Sequence, residues 1–388
     1  MTTTEETARI VDAPLAQSKA HWGPAKKALA LTVALRVFYS ALAAALSPVL
    51  FLNAEQISHT QLTDHLMQRD AHPVLYALFG VWERFDTLWY IHIANNGYDT
   101  VRAAVFYPLY PALIRIFSFF THWDLLSTLL IANIATFFFF WGALRLFELH
   151  MSPRTAFRAL LLWALFPNGF VFFSGYPDSL LLALTLWSIY FAFKRAWAMA
   201  GLLGLIAGCA KAFGCLTLAP ILYLGWRNRD WRALPAAGLS VVGAATFQLW
   251  LKVHHFPPTS QIYEMFWQTT TSAPWTTIGS ALWHLAHGEN ALLLLNFGML
   301  VVTLVAGFLT RVPTEYRIYS LAAFCLICTK NTDPVFQSSV RYALVLFAAY
   351  PALARKLDRN FDYIAVLLPA LMLNLFLLRV FLDWGLVV

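Results

Sequence analysis

Acids, amides and aromatic rings crowd one stretch of this chain: Asp86, Trp89, Tyr90, His92, Asn95, Asn96, Tyr98 and the run Phe106-Tyr107-Pro108-Leu109-Tyr110-Pro111. A carboxylate in such company can take the proton from an attacking hydroxyl, and His92 can hydrogen-bond a polar ligand. Four more chemically capable residues punctuate apolar sequence farther on: Asp178 in Pro177-Asp178-Ser179, Lys211 between Gly208 and Gly214, and Lys330 and Arg341 on either side of Asp333. Cations in these positions can hold an anionic group. Other chemical templates find no support: the sequence has no glycine-rich phosphate loop, no His-Glu-x-x-His, no Gly-x-Ser-x-Gly and no zinc-type cysteine set.

The elements that must position these residues belong to a membrane. Of the 388 residues, 60% are hydrophobic and 12% charged, and the mean hydropathy is +0.61. That is more apolar surface than a soluble core could hide. The expected fold class is all-α, a polytopic helical bundle of about eleven spans, with residues 1–388 as a single integral-membrane domain. The first span runs over Ala28–Leu52. Residues 53–124 then form a long outer loop that carries the catalytic residues and contains juxtamembrane helices. One of these covers Ala103–Thr121, where Pro108, Pro111 and Arg115 argue against a crossing. The further spans are Leu125–Phe147, Leu160–Tyr176, Leu180–Phe193, a pair between Met199 and Trp226 interrupted by proline and lysine, Leu234–Val253, Ala291–Thr310, Ile318–Thr329, Tyr342–Ala354 and Tyr363–Leu382. Residues 254–290 form a second outer loop.

Charge placement sets the expected orientation. Arg9, Lys19, Lys26, Lys27, Arg145, Arg154, Arg158, Lys194, Arg195, Arg227, Arg229, Arg232, Arg311, Arg317, Arg355, Lys356 and Arg359 fall on one side if the N-terminus is cytoplasmic, as the positive-inside rule requires. The net charge of +7 is therefore a topology signal, spread over short loops, and no nucleic-acid partner is expected. Asp86, Asp178, Lys211, Lys330, Asp333 and Arg341 gather on the opposite, outer side, whereas a transporter would place ionisable residues near the midplane in two repeated halves. Cys209, Cys215, Cys325 and Cys328 all lie in apolar runs and read as small membrane-buried residues. Residues 1–27 are polar and mixed in charge, so no cleavable signal peptide is expected.

The pattern of Asp86, Trp89-Tyr90, His92-Ile93-Ala94, Gly97-Tyr98 and Phe106-Tyr107-Pro108-Leu109-Tyr110-Pro111 resembles the PIG-V type mannosyltransferases, bacterial relatives of GPI mannosyltransferase 2. The resemblance covers roughly residues 80 to 355. It continues through Phe166-Pro167, Phe172-Phe173-Ser174, Tyr176-Pro177-Asp178-Ser179-Leu180, Ala200-Gly201-Leu202-Leu203-Gly204 leading to Lys211, Gln268, Pro274-Trp275 and Arg341-Tyr342. It implies a GT-C fold, with the catalytic acid in the first outer loop and a sugar on a polyprenyl phosphate as donor. Two departures stand out. Pro177-Asp178 replaces the usual Thr-Glu, and Lys211 replaces the usual arginine, which alone could grip a phosphate bidentately.

Sugar transfer from a lipid phosphate to a hydroxyl needs a base and a cationic seat for the leaving phosphate. Asp86 is the expected base; its alternative role is as a helix cap. His92, Asp178, Lys211, Arg341, Trp89 and Tyr90 are the expected substrate and phosphate contacts. Asp178 reads equally as a helix cap, Arg341 and Lys330 as partners of Asp333, and the aromatics as an interfacial belt. No cofactor and no obligatory metal is expected: Asp86 and Asp178 could share a divalent ion if they approach each other, but carboxylates so far apart in sequence give no ligand spacing. The expected partners are membrane lipids, the polyprenyl-phosphate sugar and a lipid or glycan acceptor. The expected location is the cytoplasmic membrane of a bacterium, with the site on its outer face. Rival readings are a lipid or glycan transporter using the same cavity, and a GT-C enzyme with another sugar or a protein acceptor.

Overall fold

The computed structural model describes residues 22–51, 62, 66–288 and 291–385. Arg9 and Lys19, the last residue of the expected first span, residues 53–61 and 63–65 of the expected first loop and the last two residues of the second lie outside the described residues. Within them the order is α1 (Pro24–Leu46), α2 (Pro73–Leu78), α3 (Asp86–Asn96), α4 (Leu109–Thr121), α5 (Asp124–Phe147), α6 (Pro153–Ala164), α7 (Asp178–Phe193), α8 (Trp197–Ala210) and α9 (Leu218–Asn228). There follow α10 (Ala233–Val253), α11 (Thr259–Trp267), α12 (Pro274–Ala286), α13 (Ala291–Ala306), α14 (Thr314–Cys328), α15 (Ser339–Tyr342), α16 (Ala349–Lys356) and α17 (Asn360–Leu382).

Four helical stretches among the described residues are long and apolar enough to cross a membrane: Pro24–Val49, α5, α10 and α17. α4, α7, α8 and α13 are shorter apolar helices. Large side chains that water would not tolerate face outward, with Met372 71% and Phe376 61% exposed on α17. These are the features of a helical membrane protein.

Several expected spans are broken, each for a local reason. Over Leu160–Tyr176, α6 ends at Ala164, Asn168 takes a left-handed conformation, and residues 169–173 tighten into a 3₁₀ turn. A Cβ on Gly169 would stand 2.3 Å from the Ala164 carbonyl oxygen, so the return is that tight. The stretch Tyr342–Ala354 is divided between α15, a 3₁₀ turn at Ala343–Val345 and α16. The juxtamembrane helix expected over Ala103–Thr121, itself not a span, is likewise two elements, a 3₁₀ turn over Val101–Val105 and α4 beginning after Pro108. At 13 residues, α4 spans roughly 20 Å, too short for a hydrocarbon core of about 30 Å. Its Phe119 and Phe120 are nonetheless each 74% exposed, as on a helix wetted by lipid.

Small residues set the closest packing. A Cβ on Gly243 of α10 would meet the Leu205 carbonyl of α8 at 2.1 Å, and one on Gly201 of α8 would meet the Ala236 Cα of α10 at 2.8 Å. Backbones approaching this closely gain contact where no hydrophobic drive separates helix from lipid. The expected second loop is mostly helical, as α11 and α12, joined by the two-residue strand β1 (Thr270–Thr271). β1 pairs antiparallel with β2 (Lys330–Asn331), Thr271 opposite Lys330, a short ribbon in an all-helical fold.

Candidate active site

The first loop is fastened to the far end of the chain before Asp86 appears. Buried Arg84 donates from Nε and Nη2 to the Leu382 carbonyl at the end of α17, each at 3.3 Å, and from Nη2 to the Tyr76 hydroxyl at 2.8 Å. Its guanidinium also stacks over Trp384 at 4.7 Å. Phe85 then adopts φ +46°, ψ −117°, a conformation costly for a side-chain-bearing residue. Its ring is held edge-on to Trp384 at 5.3 Å and near Phe381 at 5.8 Å. This kink starts α3 with Asp86 as its first residue, where a carboxylate suits the helix dipole. The cap position itself is Phe85, and no side chain caps the helix by hydrogen bond, so Asp86 is not the N-cap.

Gly175 brings this turn against the start of α7. Thr87 Oγ1 donates to the Gly175 carbonyl at 3.3 Å, and a Cβ on Gly175 would stand 2.5 Å from Thr87 Cγ2. Three residues later Asp178 opens α7, also without a side-chain cap. Lys211 sits in extended backbone between α8 and the next turn. Its Nζ lies 3.0 and 3.1 Å from the two Asp178 oxygens. Arg341 on α15 donates from Nη1 to Asp86 Oδ2 at 3.2 Å and places Nε 3.9 Å from Asp178 Oδ1. The Arg341 guanidinium lies over the rings of Tyr176 and Tyr342 at 5.0 and 5.2 Å.

Four expected residues, Asp86, Asp178, Lys211 and Arg341, thus form one network drawn from four separate parts of the chain. Their exposures divide them. The side chains of Asp178 and Arg341 are 4% and 5% exposed, while Asp86 is 30% exposed. Asp178 is enclosed by its cations; Asp86 keeps a face open.

The expected pairing of Lys330 and Arg341 with Asp333 does not form. Arg341 joins the network instead, and Lys330 lies over the rings of Tyr263 at 4.0 Å and Tyr342 at 6.0 Å. Burial alone would lower the Lys330 ammonium, but Tyr263 and Tyr342 outweigh it, and its pKa is raised. Lys330 is a residue that sequence reasoning left out of the site. Its signal, an unneutralised cation beside an aromatic belt, is visible only once β1 has paired with β2. Lys211 is also near Tyr342, 5.9 Å from the ring centroid. Three cations therefore converge on one tyrosine.

Tyr90 is buried, edge-on to Phe106 and Tyr110. Burial drives its hydroxyl well above the ordinary range, and the charges of Asp86 and Asp178 add to the rise. Trp89 is stacked on Phe106 at 5.8 Å, with Arg102 over its ring at 5.2 Å, inside a second apolar cluster with Phe247 and Ile262. His92 stands apart from the network, with Nε2 2.8 Å from Asp99 and Nδ1 3.2 Å from Asn96. Among the described residues, no three His, Cys, Asp or Glu side chains gather as they would around a metal ion.

No protein-family model matches this chain, and no characterised protein matches it either.

Proposed function

We propose that this chain is an integral-membrane glycosyltransferase, a PIG-V-like mannosyltransferase of the GT-C class. In this reading its bundle crosses the membrane about eleven times. The network would face the outer side of a bacterial cytoplasmic membrane, with the N-terminus in the cytoplasm. The donor would be a sugar on a polyprenyl phosphate and the acceptor a hydroxyl of a lipid or glycan. The observation that carries the proposal is the charge balance at one end of the bundle. Two carboxylates, Asp86 and Asp178, are met by three cations, Lys211, Lys330 and Arg341, leaving one positive charge for an anionic donor.

Asp86 accepts the proton as the acceptor oxygen attacks the anomeric carbon. The bond from that carbon to the phosphate oxygen breaks, and the electron pair leaves with the polyprenyl phosphate. Attack opposite the leaving group inverts the anomeric centre. Lys330, Lys211 and Arg341 stabilise the negative charge that grows on the phosphate. Asp178 orients Lys211 and Arg341 from inside, a role its burial suits better than base catalysis. Tyr90 bounds the same space, while Trp89 and His92 support the rim and touch no reacting atom.

Purified protein supplied with radiolabelled polyprenyl-phosphate mannose and a panel of lipid and glycan acceptors tests the proposal. Wild type is expected to transfer label, and Asp86→Asn to lower turnover by about 10²- to 10⁴-fold while still binding donor. Donor binding without transfer by either protein would favour a lipid carrier.

A further inference from the structure

At the end of the bundle away from Asp86 lies a cavity of about 730 Å³ whose lining includes Trp22, Lys26, Trp141, Arg145, Trp187 and Tyr190. The helices themselves locate it: α7 begins at Asp178 in the candidate active site and reaches Tyr190 roughly 18 Å farther on. Arg145 donates from Nη2 to the Tyr190 hydroxyl at 2.7 Å, and Lys194 stands 5.8 Å from the same ring. Neither Arg145 nor Lys194 makes an ion pair among the described residues. Glu148, near Lys27 and Arg145, offsets part of the charge but leaves the cluster basic. The N-terminus of α1 opens into the same space, with no side-chain cap and no acid in its first turn, so its positive dipole end adds to these cations.

A second cavity, of about 490 Å³, shares Trp141 and Trp187 with the first. Its lining is wholly apolar and includes Leu113, Phe117, Phe138, Leu180 and Phe191. From Leu180 to Phe191 the helical rise is roughly 16 Å, about half the thickness of a bilayer's hydrocarbon core. The two cavities adjoin at Trp141 and Trp187 and together line an amphipathic slot, cationic and aromatic at the bundle's end and apolar along α7 from Phe191 to Leu180.

We propose that this slot binds one anionic phospholipid, its phosphate against Lys26, Arg145 and the start of α1 and one acyl chain between α5 and α7. Zwitterionic lipids gain less, because the cavity's positive charge repels their ammonium or choline group. The cationic end of the slot, at Arg145 and Tyr190, lies away from Asp86, while its apolar part runs back along α7 to Leu180, two residues past Asp178.

Native mass spectrometry of the full chain, released from micelles holding equimolar phosphatidylglycerol and phosphatidylcholine with identical acyl chains, tests this. Wild type is expected to retain one phosphatidylglycerol in preference to phosphatidylcholine. Lys26→Ala and Arg145→Ala should each reduce that preference about fivefold, the contribution of one basic residue near an anionic lipid. Leu184→Trp, which narrows the apolar cavity and leaves the cations in place, should lower retention of both lipids. Equal retention of the two lipids by wild type, or an undiminished preference in Arg145→Ala, would overturn the proposal. So would displacement of phosphatidylglycerol by an equal amount of polyprenyl phosphate, which would make the slot a donor site. A preference seen only after residues 1–20 are deleted would assign the slot to the chain's own N-terminus.

Discussion

Replacing Asp178 with alanine leaves buried Arg341 and largely enclosed Lys211 with their shared counter-charge gone. The Asp178 side chain is 4% exposed and that of Lys211 14%, and their closest atoms are 3.0 Å apart. At that distance, with an effective dielectric constant of about 20, the attraction is about 5 kcal/mol. Removal of one partner of a buried pair costs about 3–5 kcal/mol, because the remaining charge stays desolvated and uncompensated. Asp178→Ala is therefore expected to destabilise the fold by about 3 kcal/mol or more. Lys211→Ala should cost less, since Arg341 Nε remains 3.9 Å from Asp178. The double substitution should cost less than the sum of the two, by about 1–3 kcal/mol, because residues in one network are not additive. Denaturant titration of the four proteins in the same detergent, followed by tryptophan fluorescence, measures all the quantities in this cycle. A cost for Asp178→Ala below about 1 kcal/mol, or single costs that sum within about 0.5 kcal/mol, would refute the coupling.

Two further outcomes follow from the same geometry. Gly175→Ala places a Cβ 2.5 Å from Thr87 Cγ2; it should destabilise the protein by about 1–3 kcal/mol through overpacking, and lower transfer more than donor binding by shifting Asp86 from Arg341. Equal loss of transfer and binding in that variant would contradict the positioning role. Lys330→Met should weaken donor binding about tenfold or more, as loss of a charge-assisted contact does, with little change in thermal stability. Unchanged affinity in equilibrium binding of a polyprenyl phosphate would remove Lys330 from the anion seat.

Hydropathy alone makes the helical, membrane-embedded character of this chain legible, because 20-residue apolar runs have no other stable solvent. The residues with chemical capacity were equally plain. Asp86 stands out by its company of acids, amides and aromatics, and Asp178, Lys211 and Arg341 because a charge set in apolar sequence is expensive unless it meets a partner. Sequence could not say which partner. The distances that unite these four depend on contacts far apart in the chain, such as Arg84 against the end of α17 and Gly175 against Thr87. The same holds for Lys330, which its neighbours in sequence tie to Asp333 and which β1–β2 pairing carries to Tyr263 and Tyr342.

Local rules also misjudged continuity. An apolar run such as Leu160–Tyr176 reads as one span, yet its carbonyls and amides can be satisfied by turns wherever neighbouring helices cover them. Two of the aromatics expected at the substrate, Trp89 and Tyr90, are buried among Phe106, Tyr110 and the rest of a local cluster. Composition and spacing determined which residues could do chemistry and in what solvent. Tertiary structure decided which acid is enclosed and which stays accessible, because burial and ion pairing are properties of what packs around a side chain, and no stretch of sequence contains its own surroundings.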